Sequence, residues 1–181
     1  EIAENTFVLF TSDNGGARPM SMGPLRGGKG GPKYEGHMRV PTVTWWPETI
    51  PAGAKTEGIG VTTDLLPSLA QLTGAEVPQG HTLDGKDVTG LLLGKPEAES
   101  PHDIHYYEIE GIRRGPWKLV LTGKKASLYN LDKDLGEKKD VAKAHPKIVA
   151  ELTALLEQHA ASIAADTRPA GFIEAGTATP L

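Results

Sequence analysis

The sequence predicts an α/β chain: part of an α/β sheet domain, followed by a small antiparallel sheet with a packed helix. Three observations carry this. An apolar, β-rich run over residues 6–11 stops abruptly at Ser12-Asp13-Asn14-Gly15-Gly16. A short helical pattern, with Leu65, Leu69 and Leu72 on one face, lies between Asp64 and Gly74. Beyond residue 100 the period shortens to brief strands with glycine turns, and the chain then enters an amphipathic stripe behind Pro146. The 181 residues allow one domain or one plus a small appendage, at roughly 150 residues per domain. The division expected is residues 1–95 for the α/β portion, 100–165 for the antiparallel sheet and helix, and 166–181 for a tail that wraps or frays.

Taken in order, residues 6–11 (Thr-Phe-Val-Leu-Phe-Thr) are continuously apolar, as a strand buried on both faces would be. Residues 15–36 hold eight glycines and little apolar periodicity, so a long loop is expected there. Loops of that length are usually functional or disordered. Strand character returns with Val40, Val43, Trp45 and Trp46, with Pro41 marking an edge or a start. For the following helix, Asp64 is the expected N-cap and Gly74 the left-handed residue past the end. Residues 83–93 read as a connection and 94–101 as a linker. Strands are then expected at 104–109, 112–114, 117–122 and 127–131. Pro146 opens a helix whose apolar stripe is Ile148, Leu152, Leu155, His159 and Ile163.

Composition removes several classes of function. With 19 Lys+Arg against 23 Asp+Glu, the net charge of −4 speaks against a nucleic-acid partner, because phosphate binding needs a basic surface. No apolar run approaches the ~18 residues of a membrane span. The absence of cysteine excludes disulfides, thiolate metal sites and a cysteine nucleophile within this sequence. Aromatic content of 6% is low for a domain that folds alone around one core. Glu1 leads straight into an apolar strand, with no Met and no targeting pattern, as a piece cut inside a larger fold would.

The candidate chemistry sits after the first strand, where ligands of α/β sheets gather. The carboxylate of Asp13 and the amide oxygen of Asn14 suit a hard divalent cation, although Asp-Asn-Gly is equally a turn sequence. Between Arg18 and Arg39 stand Arg18, Arg26, Lys29, Lys33 and Arg39 against one acid, Glu35, a local charge of +4 (5 − 1). With glycines around Lys29 this suits an oxyanion, and equally a solvated loop. The spacing is not that of a P-loop.

These motifs resemble the C-terminal half of a sulfatase, in the alkaline-phosphatase-like superfamily. The resemblance rests on Phe10-Thr11-Ser12-Asp13-Asn14-Gly15-Gly16, Pro24-Leu25-Arg26-Gly27-Gly28-Lys29-Gly30 and Tyr34-Glu35-Gly36-His37-Met38-Arg39-Val40-Pro41. It continues in order with Trp46-Pro47, Thr63-Asp64-Leu65-Leu66-Pro67, Leu83-Asp84-Gly85 and Leu128-Tyr129-Asn130-Leu131, with Asp134, Gly136 and Glu137.

It implies that Asp13 and Asn14 are the later pair of calcium ligands (magnesium being the other option). It also implies that Lys29 holds the sulfate group, and that the substrate is a sulfated small molecule or glycan. The nucleophile it implies, a formylglycine in a C/S-x-P-x-R motif, would lie upstream in a missing N-terminal part of the same fold, so this chain alone should lack turnover. A periplasmic or secreted setting goes with the resemblance. A phosphodiesterase or phosphonate hydrolase of the same superfamily, and a non-catalytic anion- or glycan-binding remnant, are the rival readings.

Other residues are expected to play smaller parts. His37 stands where many sulfatases have glycine, and either touches substrate or makes a plain polar contact. Glu35 is expected to satisfy loop N–H groups or to pair with a loop arginine, and Arg39 to brace the strand entry. At least one of Trp45 and Trp46 should pack in the core, as should His159. His102 and His105, three apart in a strand, would face opposite ways and hold no metal.

Overall fold

The computed structural model describes residues 2–77, 79–80 and 82–167. The tail expected over 166–181 falls almost wholly outside them. Strand β1 (Val8–Thr11) pairs antiparallel with β2 (Thr42–Trp45), and the loop and helix α1 (Glu35–Met38) come between them. Helix α2 (Leu65–Thr73) and the one-turn α3 (Thr89–Leu92) follow. Four strands then form an antiparallel meander in sequence order: β3 (Ile104–Tyr106), β4 (Gly111–Arg114), β5 (Trp117–Thr122) and β6 (Lys125–Asn130). The chain ends in the 20-residue helix α4 (Pro146–Ala165), with Pro146 in its first turn as expected.

The core belongs to the meander. Its register places Ile112, Leu119 and Leu128 side by side across β4, β5 and β6. Leu152 and Leu156 of α4 close over that row, and all five side chains are buried. His159 is packed as expected, its ring stacked on Tyr106 at 3.8 Å, whereas Ile163 is 46% exposed because the helix outruns the sheet beneath it.

Strand residues alternate faces, so the neighbours of the apolar row point the other way. His105, Arg113, Lys118 and Tyr129 therefore form a second, polar row across all four strands. That row faces the glycine-rich loop.

The first sheet corrects an expectation. β1 is not buried on both faces: Val8 is 44% and Phe10 66% exposed. Register sets Val8 opposite Trp45 and Phe10 opposite Val43, and all four stand on one open apolar face. The other face is covered locally, where the Thr44 hydroxyl donates to the Leu92 carbonyl at 2.7 Å. Among the described residues β1 pairs with β2 alone, and its outer face is left uncovered. Trp46 is the more enclosed of the two tryptophans, edge-on to Phe7 at 6.0 Å.

Asp64 stands at the N-cap position of α2 as expected, and Gly74 ends that helix at φ 71°, but the Asp64 side chain makes no cap hydrogen bond to α2. Its buried carboxylate instead accepts the Val61 and Lys86 amides and the His102 ring, at 2.7–2.8 Å. His102 thus ties the start of the second sheet to α2, while His105 lies edge-on to Tyr107 at 4.5 Å. Among the described residues, no helix is long and apolar enough to cross a membrane.

Candidate active site

Two backbone hydrogen bonds assemble the site. Immediately after Asp13-Asn14, the Gly15 amide donates to the His37 carbonyl at 2.7 Å, and the Gly16 carbonyl accepts the Lys29 amide at 3.1 Å. The strand end, the lysine and the histidine are thereby gathered onto one dipeptide. Glycine is required here by close approach. A Cβ on Gly15 would lie 1.8 Å from the Gly36 carbonyl oxygen, and one on Gly36 2.5 Å from that of Arg26.

The five loop cations divide into two groups. Arg26 donates to the Glu137 carbonyl at 2.6 Å and lies over the Tyr34 ring at 4.0 Å; Lys33 pairs with Glu108 at 2.7 Å. Both are spent on the second sheet. Lys29, exposed, makes no ion pair or side-chain hydrogen bond among the described residues, and neither do Arg18 and Arg39. The His37 Nδ1 lies 2.7 Å from the Gly31 carbonyl, which can only accept; Nδ1 therefore carries the hydrogen, and Nε2 has no partner among the described residues.

Beneath the loop lies a buried cluster that the sequence reading missed. Glu35, 2% exposed, accepts Lys118 Nζ at 2.8 Å and the Tyr107 hydroxyl at 2.7 Å on one oxygen. Its other oxygen stands 4.0 Å from Arg113. Glu137 accepts the Glu35 amide at 2.7 Å and holds Lys118 at 3.0 Å. The Glu35 carboxylate thus takes neither expected partner, loop N–H groups or a loop arginine, and pairs instead with a lysine 83 residues away.

Burial alone would raise the Glu35 carboxyl. The Lys118 charge and the hydrogen bonds from Lys118 and Tyr107 outweigh it, and hold that group below its ordinary range. For Glu137 burial wins over Lys118, and its pKa is raised. Burial first, then the Glu35 charge, raises the Tyr107 hydroxyl.

With this geometry in view, a family model described as Sulfatase matches residues 1–75. The chain matches the C-terminal part of sulfatases. It is 40% identical over 113 residues to the N-acetylgalactosamine-6-sulfatase of Canis lupus familiaris, covering 59% of this chain and 21% of that one. It is 29% identical over 191 residues to the N-acetylgalactosamine-6-O-sulfatase of Bacteroides thetaiotaomicron, covering 87% and 37%. The crystal structure of Ps i-CgsB in complex with k-i-k-neocarrahexaose superposes with a TM-score of 0.73 at 29% identity, covering 87% and 37%. The chain therefore spans about a fifth to two fifths of the length of these relatives. Its mixed α/β architecture is that of the alkaline-phosphatase-like sulfatases.

The donor set that follows β1 fits part of a cation site. The Asp13 carboxylate and Asn14 amide accept no hydrogen bond from described residues, and the Ser12 hydroxyl donates to the Asn14 carbonyl at 2.9 Å, not to its side chain. Two unspent oxygen ligands suit a hard cation. Among the described residues no group of three or more His, Cys, Asp or Glu gathers, so the pair by itself makes no complete ligand set.

Acid sensitivity is legible from His105. Burial lowers its pKa from 6.5 to about 4, against the pull of Glu35 and helped by His102, Lys118 and Arg113. A histidine that binds its proton less tightly when folded loses stability as pH falls from 6.5 toward about 4. Glu137, raised, works in the opposite sense. The urea midpoint is expected to drop between about pH 7.5 and about pH 5, and His105→Gln to shrink that drop. An equal drop in the variant would assign the sensitivity elsewhere.

Proposed function

We propose that this chain carries the later cation ligands and the sulfate-holding lysine of an enzyme that hydrolyses sulfate esters borne on a glycan. The observation that carries the reading is the pair of hydrogen bonds that brings Lys29 and His37 onto the dipeptide following Asp13-Asn14.

Asp13 and Asn14 would hold calcium, or magnesium, which supplies Lewis-acid polarisation and positive charge when bound. The unpaired Lys29 ammonium neutralises charge on the transferred sulfate group. The His37 Nε2 is placed to accept a hydrogen bond from a substrate hydroxyl. The remaining cation ligands and the formylglycine nucleophile would lie in the N-terminal part of the same fold, which also covers the apolar face of Val8, Phe10, Val43 and Trp45. Relatives named N-acetylgalactosamine-6-sulfatases support a sulfated amino-sugar substrate.

The test is turnover by the full-length protein of an aryl sulfate, an aryl phosphate and 6-O-sulfated N-acetylgalactosamine, before and after chelation. Sulfate release that stops with chelator and returns with calcium is expected. Preferential phosphate release would favour the phosphodiesterase reading. Tight sulfate binding without turnover would favour the binding remnant.

A further inference from the structure

We propose that Lys118 of β5, Tyr107 just past β3 and Glu137 in the loop after β6 are positioning residues for the anion loop, acting through α1. The proposal rests on the sulfatase reading of that loop.

Helix α1 is where the two halves of the site meet. On one side its His37 carbonyl receives the Gly15 amide at 2.7 Å, setting the strand end that carries Asp13 and Asn14. On the other its Gly36 amide donates to Arg26 at 2.8 Å, setting the stretch that leads to Lys29. Four residues cannot hold such a position unaided, since one helical turn is marginal in water. Its anchor is Glu35, and every group that grips Glu35 comes from the other unit. Glu137 takes the amide; Lys118 and Tyr107 take the carboxylate.

Lys118 has no exposed side-chain surface and is held between both carboxylates, so it cannot reach a substrate. What it can do is fix a distance. A point charge between two buried carboxylates leaves little slack, because each partner loses both attraction and solvent if it moves. Arg26 adds a parallel tie, donating to the Glu137 carbonyl at 2.6 Å from the same loop. The second sheet therefore reads as a strut whose polar row sets the placement of Lys29 relative to Asp13 and Asn14.

The test uses the full-length protein with Glu137→Gln and Tyr107→Phe, and Lys29→Ala as the control for the reading. One Glu137 oxygen accepts the Glu35 amide and the other stands 3.0 Å from the Lys118 ammonium, so glutamine must aim its amide N–H at one of these two donors. A misplacement near 1 Å can cost about a hundredfold in rate. Glu137→Gln is expected to lower kcat by about 10- to 100-fold with KM moving less than about twofold, and Tyr107→Phe to lower kcat by about threefold.

Hydrogen exchange by mass spectrometry separates positioning from general loosening. Peptides covering 12–40 should exchange faster in both variants, while those covering 117–131 keep their protection. If Glu137→Gln does not fold, Tyr107→Phe carries the same expectation. Wild-type kcat with unchanged loop exchange in the folded variants overturns the proposal, as does loosening spread equally over both peptides. If Lys29→Ala leaves turnover intact, it is the sulfatase reading of the loop that fails.

Discussion

Replacing Lys118 by methionine is expected to destabilise the protein by about 3–5 kcal/mol, among the largest losses any single side chain here can cause. Methionine fills a similar volume, so the loss comes from charge and not from a cavity. Glu35 and Glu137, 2% and 0% exposed, would face each other with only the Tyr107 hydroxyl, the Glu35 amide and a guanidinium 4.0 Å away.

The pH dependence gives a signature. Without the ammonium, both carboxylates bind protons more tightly folded than unfolded, so the variant should gain stability as pH falls from about 7.5 to about 5. The unaltered chain should lose it, through His105. Urea midpoints at the two pH values measure both signs. Adding Glu35→Gln and Glu137→Gln to Lys118→Met should recover most of the loss, since replacing a whole buried ionic cluster is often neutral. A small, pH-independent effect of Lys118→Met would mean that water reaches the cluster and screens it.

The same cluster marks where the sequence stops being informative. Local signals were legible: Gly74 adopts the left-handed turn that ends α2, Pro146 opens α4, and the glycine-rich stretch is a loop folded back on the end of β1. Lys118 was not. In β5 it alternates with Trp117 and Leu119, the pattern of a strand with one solvated face. It is buried because a loop about a hundred residues earlier lies over that face, and no period within the strand reports what covers it. Glu137 follows Gly136 in what looks like a polar turn, yet reaches across 102 residues to the Glu35 amide.

Phe10 shows the converse. Its apolar run reads as fully buried, but burial needs a second layer, and the described residues place none over that face. Periodicity tells which side chains share a face, whereas the covering of a face is a property of the whole fold. The candidate site was legible as residue types, and its assembly through the Gly15 and Gly16 backbone was not.

That assembly makes Gly15 nearly as consequential for turnover as Lys29. Under the proposed function, Lys29→Ala in the full-length protein would remove the charge set against the transferred sulfate and should lower kcat by about 10²–10³, as loss of one transition-state donor does. Gly15→Ala keeps every functional group and should still cost about 10². The added Cβ would sit 1.8 Å from the Gly36 carbonyl oxygen, 2.8 Å from its carbon and 3.0 Å from the His37 Cα. All three are backbone atoms, so no side chain can swing aside. Relief requires parting the strand end from α1, which breaks the 2.7 Å hydrogen bond from Gly15 to His37. Asp13 and Asn14 would then move away from Lys29, while the core of Ile112, Leu119 and Leu128 is untouched.

The two variants should separate by mechanism. Lys29→Ala should leave the melting transition and calcium affinity in place, because its side chain holds no structural partner among the described residues. Gly15→Ala should weaken calcium binding, read by calorimetry, and destabilise by about 1–3 kcal/mol as overpacking does. Calcium affinity unchanged in Gly15→Ala would place the cation away from Asp13 and Asn14, leaving Lys29 to be explained without it.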